Sequence, residues 1–149
     1  MATRKTASRK PVEILLVEDN PGDVRLLEEA LKESAMDCHL HVVRDGEQAL
    51  TFVRQQGKHA QAPRPSFILL DLHLPRINGR EVLAAVKQDR RLRQIPVFVV
   101  STSTRAEDIA QAYDLHANCY IAKPVDLEKL VEVGRQIEAF WLGTALLPG

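Results

Sequence analysis

Five short apolar runs, each followed by a stretch of helical periodicity, leave few folds open to this chain. The runs are "VEILLVE" from residue 12, "LHVV" from 40, "FILLDL" from 67, "VFVVS" from 97 and "CYIA" from 119. Between them Val24, Leu27 and Leu31, then Ala49, Leu50 and Val53, then Val82, Leu83 and Val86 recur at three- and four-residue spacing, the mark of one apolar helix face. Ile109, Ala112 and His116 make a weaker fourth face; Leu127, Leu130, Val131, Ile137 and Trp141 make a fifth. Strands apolar on both sides that alternate with helices predict an α/β fold. Its core is a five-stranded parallel sheet with helices on both faces, joined by right-handed crossovers.

Boundary signals agree with this alternation. Asn20 followed by Pro21 reads as a cap and first turn, Asp45 as the cap of the second helix and Gly57 as its close, with "KHAQAPRPS" a surface loop. Residues 1–11, "MATRKTASRKP", hold four cations and no acid, and read as a disordered basic tail, either solvated or touching a polyanion. Residues 12–149 show no break in composition and are expected to form one domain.

Composition excludes several function classes. With 20 basic against 20 acidic residues the net charge is zero, which argues against a nucleic-acid footprint spread over the surface. Cys38 and Cys119 sit in no paired motif, so neither a zinc site nor a disulfide framework is indicated. His39, His41, His59 and His116 show no metal-ligand spacing. No apolar run approaches the ~20 residues of a membrane span, and "ILLV" at 14–17 is too short for a signal-peptide core, so a cytoplasmic protein is expected.

The informative residues stand where the strands end. The first strand is followed by Glu18 and Asp19, the third by Asp71, the fourth closes on Ser101 and the fifth precedes Lys123. In an open parallel sheet these ends lie along one edge, where ligands bind. Three carboxylates meeting there repel one another unless some are protonated or a cation joins them. Hard oxygen donors suit Mg²⁺, which leaves positions open for phosphate oxygens; Lys123 adds a point charge able to pair with Asp71, and Ser101 a hydroxyl. For any one acid, capping of the next helix is an equally good account, as for Asp19 before "NPGD".

The acidic pair in "LLVEDNPGD", Asp71 in "ILLDLHLPRING" with Pro75 and Gly79 behind it, Ser101 in "VVSTS" and Lys123 in "YIAKP" resemble the receiver domains of two-component response regulators, over residues 12 to about 142. That resemblance implies the (βα)5 flavodoxin-like receiver fold. It makes Asp71 the acceptor of a phosphoryl group from a phosphohistidine on a sensor histidine kinase. It also implies Mg²⁺ held by Glu18, Asp19, Asp71 and the backbone carbonyl of His73; a Lys123 that bridges to Asp71 and then to the phosphoryl group, with a cis bond to Pro124; and Ser101 with Tyr120 as a switch pair, Tyr120 turning inward from solvent. Ser101 and Glu18 stand where threonine and aspartate are also common, and both keep the needed chemical group.

The stretches "QQGKHAQAPRPS", "YDLHANCYI" and "FWLGTALLP" are similar to the small stand-alone regulators paired with bacterial and cyanobacterial phytochromes, which implies a red-light-sensing kinase as donor. Only 26 residues follow Lys123, too few for a DNA-binding or second catalytic domain, so signalling through protein contacts is expected. Phe140, Trp141, Leu142, Leu146 and Leu147 either form a homodimer surface or fold back on the core; the resemblance favours the dimer. The chain is expected to be a phosphoacceptor rather than an enzyme with a turnover of its own.

Three rivals remain. An aspartate-nucleophile phosphatase needs a second aspartate two positions after the first, and residue 73 is histidine. A flavin protein of the same fold needs a phosphate cradle after the first strand, where "EDNPGD" is acidic. A phosphorylation-independent interaction module would have no need of five competent site positions.

Overall fold

The computed structural model describes residues 11–32, 37–123, 126–137, 139 and 146. Its elements alternate as the periodicity requires: β1 (Val12–Val17), α1 (Pro21–Lys32), β2 (Cys38–Val43), α2 (Gly46–Val53), β3 (Phe67–Leu70), α3 (Gly79–Gln88), β4 (Val97–Ser101), α4 (Ala106–Asp114), β5 (Cys119–Ala122) and α5 (Leu127–Ile137). The strands form a five-stranded sheet in the order β2-β1-β3-β4-β5, every neighbouring pair parallel.

Strand residues divide between two cores by parity. Leu15, Val17, Ile68, Leu70, Val97 and Val99 face α2, α3 and α4. Ile14, Leu16, Phe67, Leu69, Phe98 and Val100 face α1 and α5, with Phe67 and Phe98 stacked at 5.1 Å between ring centroids. The three central strands are therefore buried on both sides, as their unbroken apolar runs require. The edge strand β2 is only partly covered, with His39 exposed and Val43 alone fully buried.

Local chemistry sets the boundaries. The Asn20 side chain accepts from the backbone N–H groups of Gly22 and Asp23, and Asp45 accepts from Gln48 N–H, so both act as caps. Asn78 and Glu81 cap α3 reciprocally. Three expectations are corrected. β2 starts at Cys38, two residues before "LHVV", because an edge strand needs no continuous apolar run. Gly57 does not close α2, which ends at Val53; Gln55 takes the left-handed turn (φ 53°) and Gly57 opens a short 3-10 turn, Gly57–His59. His116 lies past α4, in left-handed conformation at φ 72°, and not on its face. Trp141, the side chains of Leu127 and Leu130, and the tail up to residue 10 lie outside the described residues.

Candidate phosphoryl-transfer site

The winding reverses between β1 and β3, which lie side by side at the sheet centre and lead in opposite lateral directions. Such a switch point opens a crevice beyond the carboxyl ends of the strands. Glu18 and Asp19 follow β1 there, and Asp71 follows β3. One ligand oxygen from each lies within 4.8 Å of the others, so the topology alone converges three acids.

Their surroundings differ. Glu18 is 2% exposed and Asp71 7%, whereas Asp19 opens to solvent. Asn20 N–H donates to Glu18 at 3.1 Å and His73 N–H to Asp71 Oδ1 at 3.2 Å, each fixing one carboxylate oxygen. Gly79 lies against the strand end: its N–H donates to Leu72 O, and a Cβ at 79 would sit 2.3 Å from Asp71 O.

Lys123 reaches the acids from beyond β5. Its ammonium donates to Glu18 at 2.7 Å and Asp23 at 2.9 Å, and stands 3.8 Å from Asp71 Oδ2. Pairing with Asp71 was expected and is present at 3.8 Å; the shorter contacts go to Glu18 and to Asp23, the latter missed by sequence reasoning. Asp23 was hidden as an ordinary first-turn acid of α1. Burial pushes the Glu18 carboxyl up to about 7, the Asp71 charge adding to it and the Lys123 hydrogen bond opposing it. Burial disfavours the Lys123 ammonium, but its bonds to Glu18 and Asp23 and the Asp71 charge outweigh this and hold its pKa above the ordinary lysine value.

Ser101 is fully buried and its Oγ accepts from Ser103 N–H at 3.1 Å, leaving its own proton to donate. Tyr120 was expected to start in solvent. Instead it is half-buried, its hydroxyl donating to Ser103 O at 2.9 Å, because that loop carbonyl offers an acceptor beside β5. The His73 imidazole is exposed, and Pro124 with its peptide bond lies outside the described residues.

A divalent cation suits this donor set. Three carboxylate oxygens are close enough to share one ion, Asp19 keeps the solvent side open, and the buried Glu18 carboxylate gains most from a cation beside it. The site thus brings three carboxylates and an ammonium into one crevice, with the Ser101 hydroxyl at the neighbouring strand end.

Comparison with known proteins gives this combination a family. The response regulator receiver domain matches residues 14–135. Response regulator Rcp1 of Synechocystis sp. is 48% identical over 141 residues, covering 95% of this chain and 96% of its own. Among solved structures, the phosphorylated cyanobacterial phytochrome response regulator RcpA is 50% identical, with TM-score 0.90, over 94% of this chain and 100% of its own. The Mn²⁺-bound form of Rcp1 gives TM-score 0.88 at 48% identity, over 93% and 100%. With the strand order, the acidic crevice and these matches in agreement, the chain belongs to the response regulator receiver domains.

Proposed function

We propose that the chain is a response regulator of phytochrome signalling, phosphorylated on Asp71 by a sensor histidine kinase in the cytoplasm. The juxtaposition of Asp71 with the Glu18 and Asp19 carboxylates and with the Lys123 ammonium carries the reading. The likeness to Rcp1 and RcpA supports the phytochrome class of kinase. Among the described residues no helix is long and apolar enough to cross a membrane, which fits the cytoplasmic placement.

An Asp71 carboxylate oxygen forms a bond to phosphorus as the bond from phosphorus to the kinase imidazole breaks, and the electron pair leaves with that nitrogen. Alignment and charge neutralisation supply most of such a barrier reduction. The His73 N–H holds one Asp71 oxygen in place. Lys123, poised 3.8 Å away, shifts from Glu18 and Asp23 toward the new charge, and Ser101 turns its free proton to a phosphoryl oxygen. Glu18, Asp19, Asp71 and the His73 carbonyl would hold Mg²⁺, which when bound neutralises charge on the phosphoryl oxygens. The protein acts as acceptor and signal, not as an enzyme with a separate substrate. Leu146, 97% exposed, is in keeping with output through contacts with other proteins, a second copy of the chain among them.

Intact-mass spectrometry after incubation with acetyl phosphate tests the reading. One phosphoryl group is expected on the wild type with Mg²⁺, and none without Mg²⁺ or on Asp71→Asn. Absence of any mass gain in a folded, Mg²⁺-binding wild type overturns it and favours a phosphorylation-independent interaction module.

A further inference from the structure

Opposite the acidic crevice, at the amino ends of β3 and β4, the charge reverses. Residues 54–64 hold three lysines and arginines and no acid, and residues 87–93 hold four with Asp89 alone against them, in a chain with 20 of each sign. Between these segments lies a cavity of about 120 Å³, lined by the buried Val53 and Leu92 and by Arg54, Arg64, Arg91 and Asp89. Its arginines come from three places: Arg54 caps the end of α2, Arg64 belongs to the loop before β3, and Arg91 follows α3. Hydrogen bonds tie the walls together, from Arg64 Nη1 to Arg91 O and from Gln55 Nε2 to Ala62 O, both at 2.6 Å. Among the described residues none of the three guanidiniums has a carboxylate within 4.0 Å, whereas Arg76, Arg80 and Arg105 each have one. Asp89 is turned to the backbone instead, its Oδ1 accepting from Arg91 N–H at 2.8 Å. Basic residues favour helix C-termini, and Lys87 in the last turn of α3 fits that account; Arg64 and Arg91 lie outside both helices.

We propose that this cavity is a second anion site, which binds one phosphate group between Arg54, Arg64 and Arg91. Like charges gathered around one recess repel, and an anion among them turns that repulsion into attraction. A guanidinium presents paired donors that match phosphate oxygens, so three of them suit a group with three acceptor oxygens better than a single carboxylate. The volume of about 120 Å³ is well below the roughly 300–1,000 Å³ of sites that enclose drug-sized ligands. One phosphate group enters, and whatever carries it stays outside. This site is independent of Asp71 and of its phosphorylation.

The experiment is nitrogen-15 NMR of the Mg²⁺-free full chain, titrated with inorganic phosphate at fixed ionic strength and read at backbone and arginine side-chain N–H signals. Without Mg²⁺ the crevice at the other end is acidic and repels the probe. In the wild type the signals of Arg54, Arg64 and Arg91 are expected to shift together and to saturate. Arg64→Gln and Arg91→Gln are each expected to weaken binding about tenfold, and Arg64→Lys, which keeps the charge but loses the fork, by less. Arg91→Gln leaves the residue-91 carbonyl free to accept from Arg64, and so carries the test should Arg64→Gln disturb the loop. Arg90→Gln, beside the cavity but outside its lining, is expected to change nothing. Shifts that never saturate, an affinity unchanged in both glutamine variants of the lining, or an equal loss in Arg90→Gln overturn the proposal. Sedimentation with phosphatidic acid vesicles then separates the sources of the phosphate. Capture that Arg91→Gln abolishes assigns it to a lipid headgroup, and no capture assigns it to a soluble phosphate.

Discussion

Lys123 carries more of the site than its place in "YIAKP" suggests. Its side chain is 8% exposed and holds Glu18, Asp23 and Asp71 at once. Removing one member of a buried pair leaves an uncompensated charge, at a cost of roughly 3–5 kcal/mol. Lys123→Met is therefore expected to destabilise the Mg²⁺-free protein by about 3 kcal/mol in urea unfolding, at the low end because Glu18 is able to take up a proton. The same variant should lose phosphoryl uptake from acetyl phosphate. Glu18, Asp19, Asp71, Ser101 and Lys123 were legible in the sequence because each sits directly at a strand end, where strand position alone fixes location. Asp23 and Ser103 were not, since their roles depend on the phase of α1 and on the path of the loop after β4.

At the scale of elements, the start of α3 is pressed directly onto the strand end that carries Asp71. Gly79 lets the helix approach the strand end so closely that an alanine Cβ would meet Asp71 O at 2.3 Å and Leu72 Cα at 2.5 Å. Both neighbours are backbone, so the helix must retreat. Gly79→Ala is expected to cost about 1–3 kcal/mol and to slow phosphoryl uptake several-fold, measured by thermal unfolding and by intact mass against time. Central strands were readable because burial on two sides forces an unbroken apolar run. The edge strand β2 was read two residues short, since its half-buried Cys38 and exposed His39 lie outside that run. The close of α2 was misplaced for another reason. Glycine is the default residue for a left-handed turn; here Gln55 already takes one just after the helix, and Gly57 takes a second two residues later.

At the scale of the whole molecule, the acidic crevice is a debt set against folding. The Glu18 carboxyl titrates at about 7 in the fold against an ordinary 4.5. A carboxyl raised in this way stabilises the fold fully below about 4.5, and that contribution is lost as pH rises through about 7. The Mg²⁺-free protein should lose stability across that window. Excess Mg²⁺ should restore it above pH 7, by about 2.7 kcal/mol at a cation concentration ~100 times Kd. Differential scanning calorimetry at several pH values, with and without Mg²⁺, reads both effects; a metal-free melting temperature that is level across the window would remove Glu18 from this role.

The bonds that close the crevice join residues far apart in the chain: Lys123 is 105 positions from Glu18 and 100 from Asp23. The sheet from β1 through β3 and β4 to β5 must be in place before these groups meet, and contacts of such separation slow folding through the loop entropy they cost. Readiness to accept a phosphoryl group thus draws on the strands from β1 to β5 together and on no local segment alone. A copy in which β5 is not seated against β4 has no Lys123 ammonium beside Glu18 and Asp23, and so has an acidic crevice without its cation.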